Sequence, residues 1–520
     1  MSGKCRKIMY ALVVTVFAAF LWMICCENDR KVTDTVIGET TVQSMRSGEK
    51  TVSLEQSDIP KIEIEDLTDA FTVILQYAPK DMLAGCTVDE SFLMWFYAQY
   101  GRDAVIHIAF DVLDGGNAPD VWYEETGNSI HVLWLLYCRD SGFGQHELEN
   151  VYWMQTAAAS EMVFGFAGDI NFAENWYTTE YMKEQPDGLW DCFSEDLLAQ
   201  MQGVDVMIMN NEFTYVNKKG ATSVYGKAYT FRADPQKAEL LEIFGTDTVT
   251  LANNHVYDYG KKGLLSTLDV LDQEGIPYSG AGRNLKDASK IIYYVMNGRK
   301  VAFVSATQIE RSKQYTKAAT ETEPGVLKAL HPEKFLKIVK EAAQNSDYVI
   351  AEVHWGTEGM LYPDQSQRHL AEQIAQAGAD VIIGGHPHRL QGTTFVGDVP
   401  IAYSLGNFWF STGTLYTTLA KVTITEDGTV KLSFVPCIQQ NLTTRILTEL
   451  EEQSDFYEYL ASVSMDIGID ADGVVYNKNA DDYPAGEILY DSDTSQTDII
   501  GMADNEGDAI DIVGNLREDR

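Results

Sequence analysis

Between Glu161 and about Phe410, short apolar runs alternate with stretches whose apolar residues recur every three or four positions. Runs of the first kind predict buried strands, and stretches of the second predict amphipathic helices. Strands are expected at Met162–Ala167, Val204–Met209, Val249–Ala252, Tyr348–Val353, Val381–Ile383 and Ile401–Leu405. Helices are expected at Pro235–Phe244, Lys261–Glu274, Pro332–Ala343 and Gln365–Ala377. Strands alternating with helices mark an α/β domain. Two further runs, Lys421–Ile424 and Val430–Val435, are joined by Asp427-Gly428 and predict a hairpin.

The flanks follow other rules. Lys4, Arg6 and Lys7 precede an uncharged apolar run from Ile8 to Cys26. Such a run is long enough to cross a bilayer, which takes roughly 17–25 residues. Basic residues stay on the cytoplasmic side, so the bulk of the chain is expected outside the cell membrane. The run lacks a clean cleavage site, and Ile24 is bulky where a lipidation signal before Cys25 wants a small residue. Residues 1–27 therefore read as an uncleaved single-pass anchor, with lipidation as the alternative. Residues 28–60 are polar and read as a linker. Residues 61–158 are rich in aromatics and read as a small accessory domain. Within it, Val105–Phe110 and Ile130–Trp134 fit either strands or short buried helices, and His107 and His131 read as core histidines without carboxylate neighbours. The α/β domain spans 161–440. The acidic stretch 448–520, with about twenty acidic residues and three basic ones, is expected to be loosely structured.

Composition narrows the functional classes. A chain of 520 residues with a net charge of −38 has no basic footprint for nucleic acid. Of seven cysteines, Cys5, Cys25 and Cys26 lie in the anchor region. Cys86, Cys138, Cys192 and Cys437 are scattered with no Cys-x-x-Cys pair, which disfavours a cysteine metal site. A disulfide such as Cys86 with Cys138 remains open.

The chemistry gathers where the apolar runs end. Asp169 follows the first, Glu212 the second, Asn253-Asn254-His255 the third, His354 the fourth, and His386-Pro387-His388 the fifth. Gly406-Asn407-Phe408 closes the series. Ligands of open α/β sheets bind at such strand ends. Singly, a Gly-Asp after a strand is a turn and a His-Pro-His is nothing. Jointly, four of the nine histidines stand at apolar-run ends of one domain, which packing alone does not predict. His369, inside a helical stretch, reads as an ordinary surface or core residue. Carboxylate, amide oxygen and imidazole suit divalent Mn, Fe, Zn or Mg. Two such ions sharing Glu212 would clamp a phosphoryl group. His255, beside Asn254, is placed to protonate a leaving oxygen, with Asp258 as its holding partner.

The ordered set Gly168-Asp169, Asn210-Asn211-Glu212, Ala252-Asn253-Asn254-His255-x-x-Asp258-Tyr259-Gly260, His354-Trp355-Gly356, Gly385-His386-Pro387-His388 and Tyr403-Ser404-Leu405-Gly406-Asn407-Phe408 resembles the bacterial capsule-synthesis family CapA or PgsA. That family is associated with poly-γ-glutamate capsule synthesis and export and is similar to the calcineurin-like metallophosphoesterases. The resemblance implies an αββα sandwich and two divalent metal ions. Asp169 and His388 would hold the first ion, Glu212 would bridge both, Asn254, His354 and His386 would hold the second, and His255 would be the general acid. Two residues depart from the pattern. Asn171 stands where the first motif has histidine, and Glu212 where the bridge is usually aspartate, so the first ion is expected to be held less tightly. The resemblance also implies a polyanionic capsule polymer and other capsule-synthesis proteins as partners. The alternatives are a metal-dependent phosphoesterase acting on an extracellular phosphate ester and a non-catalytic scaffold. A chain at −38 repels a polyanion, but at physiological salt that repulsion fades within about 8 Å, and bound cations would reverse it locally.

Overall fold

The computed structural model describes residues 67–492 apart from 80–82, 84–85, 115–119, 220–221, 312 and 485. The expected anchor 1–27, the linker 28–60 and the last part of the acidic stretch lie outside the described residues. No helix among the described residues is long and apolar enough to cross a membrane.

Two large sheets carry the fold. In the seven-stranded sheet the spatial order is β1 (Val151–Trp153), β6 (Ile292–Met296), β7 (Arg299–Thr307), β8 (Tyr348–His354), β9 (Val381–Gly385), β11 (Val399–Ala402) and β10 (Thr393–Val396). The eight-stranded sheet runs β15 (Thr443–Ile446), β14 (Val430–Gln440), β13 (Leu415–Thr425), β2 (Glu161–Ile170), β3 (Val206–Asn211), β4 (Thr246–Thr250) and β5 (Tyr278–Ser279), with β12 (Asn407–Trp409) added to the end of β2. The strands β2, β3 and β4 are parallel, as are β7, β8 and β9.

Alternation along each strand builds three layers of core. Phe164, Phe166, Val206 and Ile208 of one sheet meet Val301, Phe303, Ile350, Val381 and Ile383 of the other. The opposite face of the eight-stranded sheet packs Met207, Met209 and Val249 against Leu197, Leu198 and Met201 of α5 (Glu195–Gln202) and Leu264, Leu268 and Leu271 of α6 (Gly260–Glu274). The opposite face of the seven-stranded sheet packs Val304, Val349 and Ile382 against Phe335, Val339 and Ala342 of α7 (Glu333–Gln344) and against Leu370 and Ile374 of α8 (Gln365–Gln376). The result is an αββα sandwich. Helix α8 starts at a capping box in which Asp364 accepts from the Gln367 N–H and the Gln367 side chain accepts from the Asp364 N–H. The stretch Pro235–Phe244, expected as an α-helix, is wound as 3-10 turns between Asp234 and a left-handed Gly245.

The segment ahead of β1 is helical: α1 (Leu67–Tyr77), α2 (Glu90–Leu113, broken at Gly101), α3 (Val121–Thr126) and α4 (Ile130–Ser141). Its own core holds Phe92, Phe96, Trp122, Leu133 and Trp134. Val105–Phe110 and Ile130–Trp134 are thus helix; the second is buried on so many sides that no polar face shows in the sequence, while the first exposes His107 and the apolar Phe110. His131 is buried, and burial, with Lys300 nearby, holds its imidazole down at about 3. His107 departs from the expectation. It is exposed, and Nδ1 lies 3.1 Å from Glu125 Oε1, a carboxylate supplied by the next helix rather than by sequence neighbours. The helical layer docks on the β6–β7 turn. Ser129 N donates to Gly298 O, Arg299 lies 3.8 Å over the Tyr123 ring, and Arg299 pairs with Asp120 at 2.6 Å. Among the described residues, Cys86, Cys138, Cys192 and Cys437 form no disulfide, so the bridge left open for Cys86 and Cys138 is not made.

The acidic C-terminal stretch also differs from expectation, because it is folded as far as residue 492. Helix α9 (Leu450–Ser462) buries Phe456, Tyr457, Leu460 and Ala461 in the inter-sheet core. Behind it lies a small antiparallel sheet of β16 (Ile467–Asp470), β17 (Val475–Asn477) and β18 (Ile488–Asp491). Acidic residues on the outer face dilute this apolar stripe below recognition.

Asp347 ties the helical layer to the sandwich. Its Oδ2 accepts from Ser129 Oγ at 2.6 Å and from Lys300 N at 2.7 Å. Burial lifts this carboxyl to about 6, more than those hydrogen bonds lower it. A carboxyl raised on folding contributes stability at acid pH that is lost as pH climbs through its folded value. Asp347→Asn keeps the accepting oxygen and removes the charge. Its melting temperature is expected to exceed wild type above about pH 7, by about 1–2 kcal/mol of stability, and to converge with it below about pH 4.

Candidate metal centre

The parallel strands of both sheets end on the same side of the molecule, and the polar residues follow. Strand β2 delivers Asp169, β3 leads into Glu212, and the loop from β4 to α6 carries Asn254, His255 and Asp258. In the other sheet β8 ends on His354 and β9 leads into His386 and His388. The approach is tight at Gly168, where a Cβ would meet Gly406 O at 2.1 Å. Asp169 N donates to that same carbonyl.

These residues converge. His388 Nδ1 lies 3.0 Å from Asp169 Oδ2 and 2.8 Å from Asn407 Oδ1. His354 Nε2 lies 2.8 Å from Asn254 Oδ1 and 3.3 Å from Glu212 Oε1. Glu212, His386 and His388 present ligand atoms within 4.8 Å of one another. Both His386 (φ 100°) and His388 (φ 57°) hold left-handed backbone conformations, which side-chain-bearing residues keep only when the surroundings demand it.

Around them an amide network fixes directions. Asn210 Nδ2 donates to Asp169 Oδ1 at 2.7 Å, which turns Asn210 Oδ1 toward the Asn253 amide at 2.9 Å. Asn253 Oδ1 in turn accepts from the N–H groups of His255 and Val256. Asn253 is thus a brace for the loop, while Asn254 faces the centre.

His255 and Asp258 form a buried pair. Nδ1 of His255 lies 2.8 Å from Asp258 Oδ2, and that oxygen also accepts from Phe231 N. The other oxygen takes a hydrogen bond from Lys227 Nζ at 2.6 Å. Lys227 also donates to Asn254 O and lies 3.5 Å from Glu310. Thr316 Oγ1 donates to the same Asn254 carbonyl. The Phe231 ring stacks on His255 at 4.4 Å.

Charge is strongly coupled here. Burial, then the Asp169 charge, lifts Glu212 to about 8. Burial holds His354 down at about 3 and His386 well below the usual imidazole range. Burial works against protonation of His388, yet Glu212, Asp169 and Glu358 outweigh it and raise His388 to about 10. Burial likewise opposes ionisation of Asp169, but the hydrogen bond and charge of His388 keep it below the usual range.

In the centre, Glu212 Oε2 and His386 Nδ1 are buried with no hydrogen-bond partner, and the buried Glu212 Oε1 and Asp169 Oδ2 face only the imidazoles of His354 and His388. Buried acceptors without donors cost about 1–3 kcal/mol each. A cation would satisfy all four, so the residues fit divalent ions in chemistry and in direction.

Asn171 and His369 stand apart. Asn171 is buried, and its Oδ1 accepts from Ala173 N at 2.8 Å, which turns that oxygen toward its own backbone. His369 is exposed on α8, 3.8 Å from Glu372 and away from the centre. Sequence reasoning gave no role to Asn407, Asn210, Lys227 or Glu358. Asn407 carried a signal, since it ends the last apolar run. Lys227 sits in a loop without pattern.

Residues 163–412 match the family model described as bacterial capsule synthesis protein PGA_cap. The chain carries a PGA_cap domain. It is 34% identical over 223 residues to the capsule biosynthesis protein CapA of Bacillus anthracis, covering 42% of this chain and 53% of that one. Over 214 residues it is 34% identical to the PGA biosynthesis protein CapA of Bacillus subtilis strain 168, covering 40% and 55%. The chain thus spans about half the length of the curated relatives it matches. Among solved structures, a phosphatase from Mycoplasma pneumoniae is 12% identical with a TM-score of 0.34, covering 54% of this chain and 95% of that one. Every residue of the centre described above lies inside the PGA_cap domain. The helical layer and helix α9 lie outside it.

A cation entering the PGA_cap centre must displace the proton that Glu212 holds up to about 8. The His388 proton, held up to about 10, must leave as well, so divalent-cation affinity is expected to rise about a hundredfold per pH unit between about pH 6 and 7. Isothermal titration in two buffers of different ionisation heat would show the released protons. Glu212→Gln is expected to abolish uptake.

Proposed function

We propose that this chain is a membrane-anchored, extracytoplasmic component of the synthesis or export of a poly-γ-glutamate-type capsule polymer, working with other capsule-synthesis proteins. In this reading its PGA_cap domain binds divalent ions. The observation that carries it is the set of buried ligating groups contributed by both sheets, Glu212, Asp169 and His386, inside a domain shared with CapA proteins. Asp169, Glu212 and His388 would hold one ion, and Glu212, Asn254, His354 and His386 a second. Bound there, the ions supply Lewis-acid polarisation of an acyl or phosphoryl oxygen. The protein's own contribution is proton handling. Asp258 fixes His255 through Nδ1, so the proton to be moved is the one on Nε2. The apolar run Ile8–Cys26 supports an anchor, and membrane fractionation of the full-length chain tests it.

The His255–Asp258 pair favours a second reading, a metal-dependent phosphoesterase acting on an extracellular phosphate ester. A chain kept only as a scaffold has no need of it. Manganese-loaded protein offered generic aryl phosphates separates the two readings. Hydrolysis that falls at least a hundredfold in His255→Ala, with metal content unchanged, supports the esterase. No hydrolysis, together with loss of surface polymer in cells carrying Glu212→Gln, supports the polymer role without phosphoester chemistry. Polymer at wild-type levels in those cells removes the centre from capsule production.

A further inference from the structure

The site for the first ion is short of donors. Asp169, Glu212 and His388 offer three, while divalent ions of this class take at least four. The position expected to supply the fourth is Asn171, and its oxygen is turned toward its own backbone, where it accepts from Ala173 N. His388 shows where a substitute lies. Its Nδ1 faces the oxygens of Asn407 at 2.8 Å and Asp169 at 3.0 Å, so Nε2 is the nitrogen left to meet a cation once His388 gives up its extra proton. The carboxylate facing Nε2 is Glu358, whose Oε1 lies 3.8 Å away.

Glu358 is held over the centre by its loop. Gly359 N donates to Pro387 O at 2.8 Å, between the two histidines, and Trp355 N donates to Gly385 O at 3.1 Å. Its charge acts on both Glu212 and His388. At 69% exposure its side chain faces solvent, and an exposed ion pair with one imidazole contributes little by itself. The Glu212 carboxylate on which its charge acts is buried, with Oε2 lacking a hydrogen-bond partner.

We propose that Glu358 is a ligand of the first divalent ion and replaces the donor lost at Asn171. This inference rests on the divalent centre proposed above. It also gives the exposed carboxylate a task at the mouth of the centre.

The test is cation binding by the full-length, detergent-solubilised chain after stripping with chelator. Manganese is added and followed by calorimetry, with elemental analysis of the product. Wild type is expected to take up two equivalents. Glu358→Gln is expected to take up one, or to bind the second at least tenfold more weakly, with the metal-free melting temperature unchanged. Glu372→Gln, which removes an equally exposed charge elsewhere, controls for the general field and is expected to match wild type. If Glu358→Gln and Glu372→Gln both bind two equivalents with wild-type affinity, the inference is overturned and the centre stands. A wild-type chain that takes up no divalent cation overturns the centre and the inference with it.

Discussion

Burial of the two inner sheet faces against each other is the constraint on which everything else depends. Phe166 and Phe303, one from each sheet, meet with ring centroids 6.2 Å apart in the middle of that layer. Packed sheets leave no freedom to slide, because side chains interdigitate at near-crystalline density. Once the layer is closed, the ends of β2, β3 and β4 stand opposite the ends of β8 and β9. Residues as distant in sequence as Asn254 and His354 then face each other at 2.8 Å. Asp169 and His354 lie on the strands, and Glu212, Asn254, His386 and His388 follow strand ends within four residues, which suits a centre whose donors must keep fixed directions.

The centre is costly in exchange. It buries the Asp169 and Glu212 carboxylates among imidazoles, twists two histidines into left-handed backbone, and leaves Glu212 Oε2 and His386 Nδ1 without a hydrogen-bond partner. No packing benefit offsets this. Such local conflict inside an otherwise consistent fold marks a functional site. The neutral state of His354 and His386 is part of the same design, since an imidazole ligates only through a free lone pair.

Legibility in the sequence followed the physics of each element. Strands such as Tyr348–His354, buried on both faces, are uniform apolar runs, so their ends, and with them Asp169, Glu212, His354 and His388, stood out. Helix α4 was ambiguous because Ile130, Val132, Leu133, Leu135 and Cys138 are all buried and no polar face breaks the run. Helix α9 was missed for the opposite reason, since Glu451, Glu452, Asp455 and Glu458 surround a narrow apolar stripe. The braces were the least visible. Asn407, Asn210 and Glu358 matter through distances across the fold, and no spacing along the chain encodes those. Asn171 shows the converse, as a position marked by motif whose side chain is spent on its own turn.

Lys227 has a consequence of a different kind. It reaches from the loop after β3 to the Asn254 carbonyl and Asp258, and it comes within 3.5 Å of Glu310 in the loop after β7. One ammonium group therefore fastens the loops of both sheets into a single roof. Neither loop is a separable module. A chimera that exchanged the loop after β7 for that of a relative would strip Lys227 of a counter-charge and disturb a ligand on the other sheet, so the two loops are bound to change together or not at all.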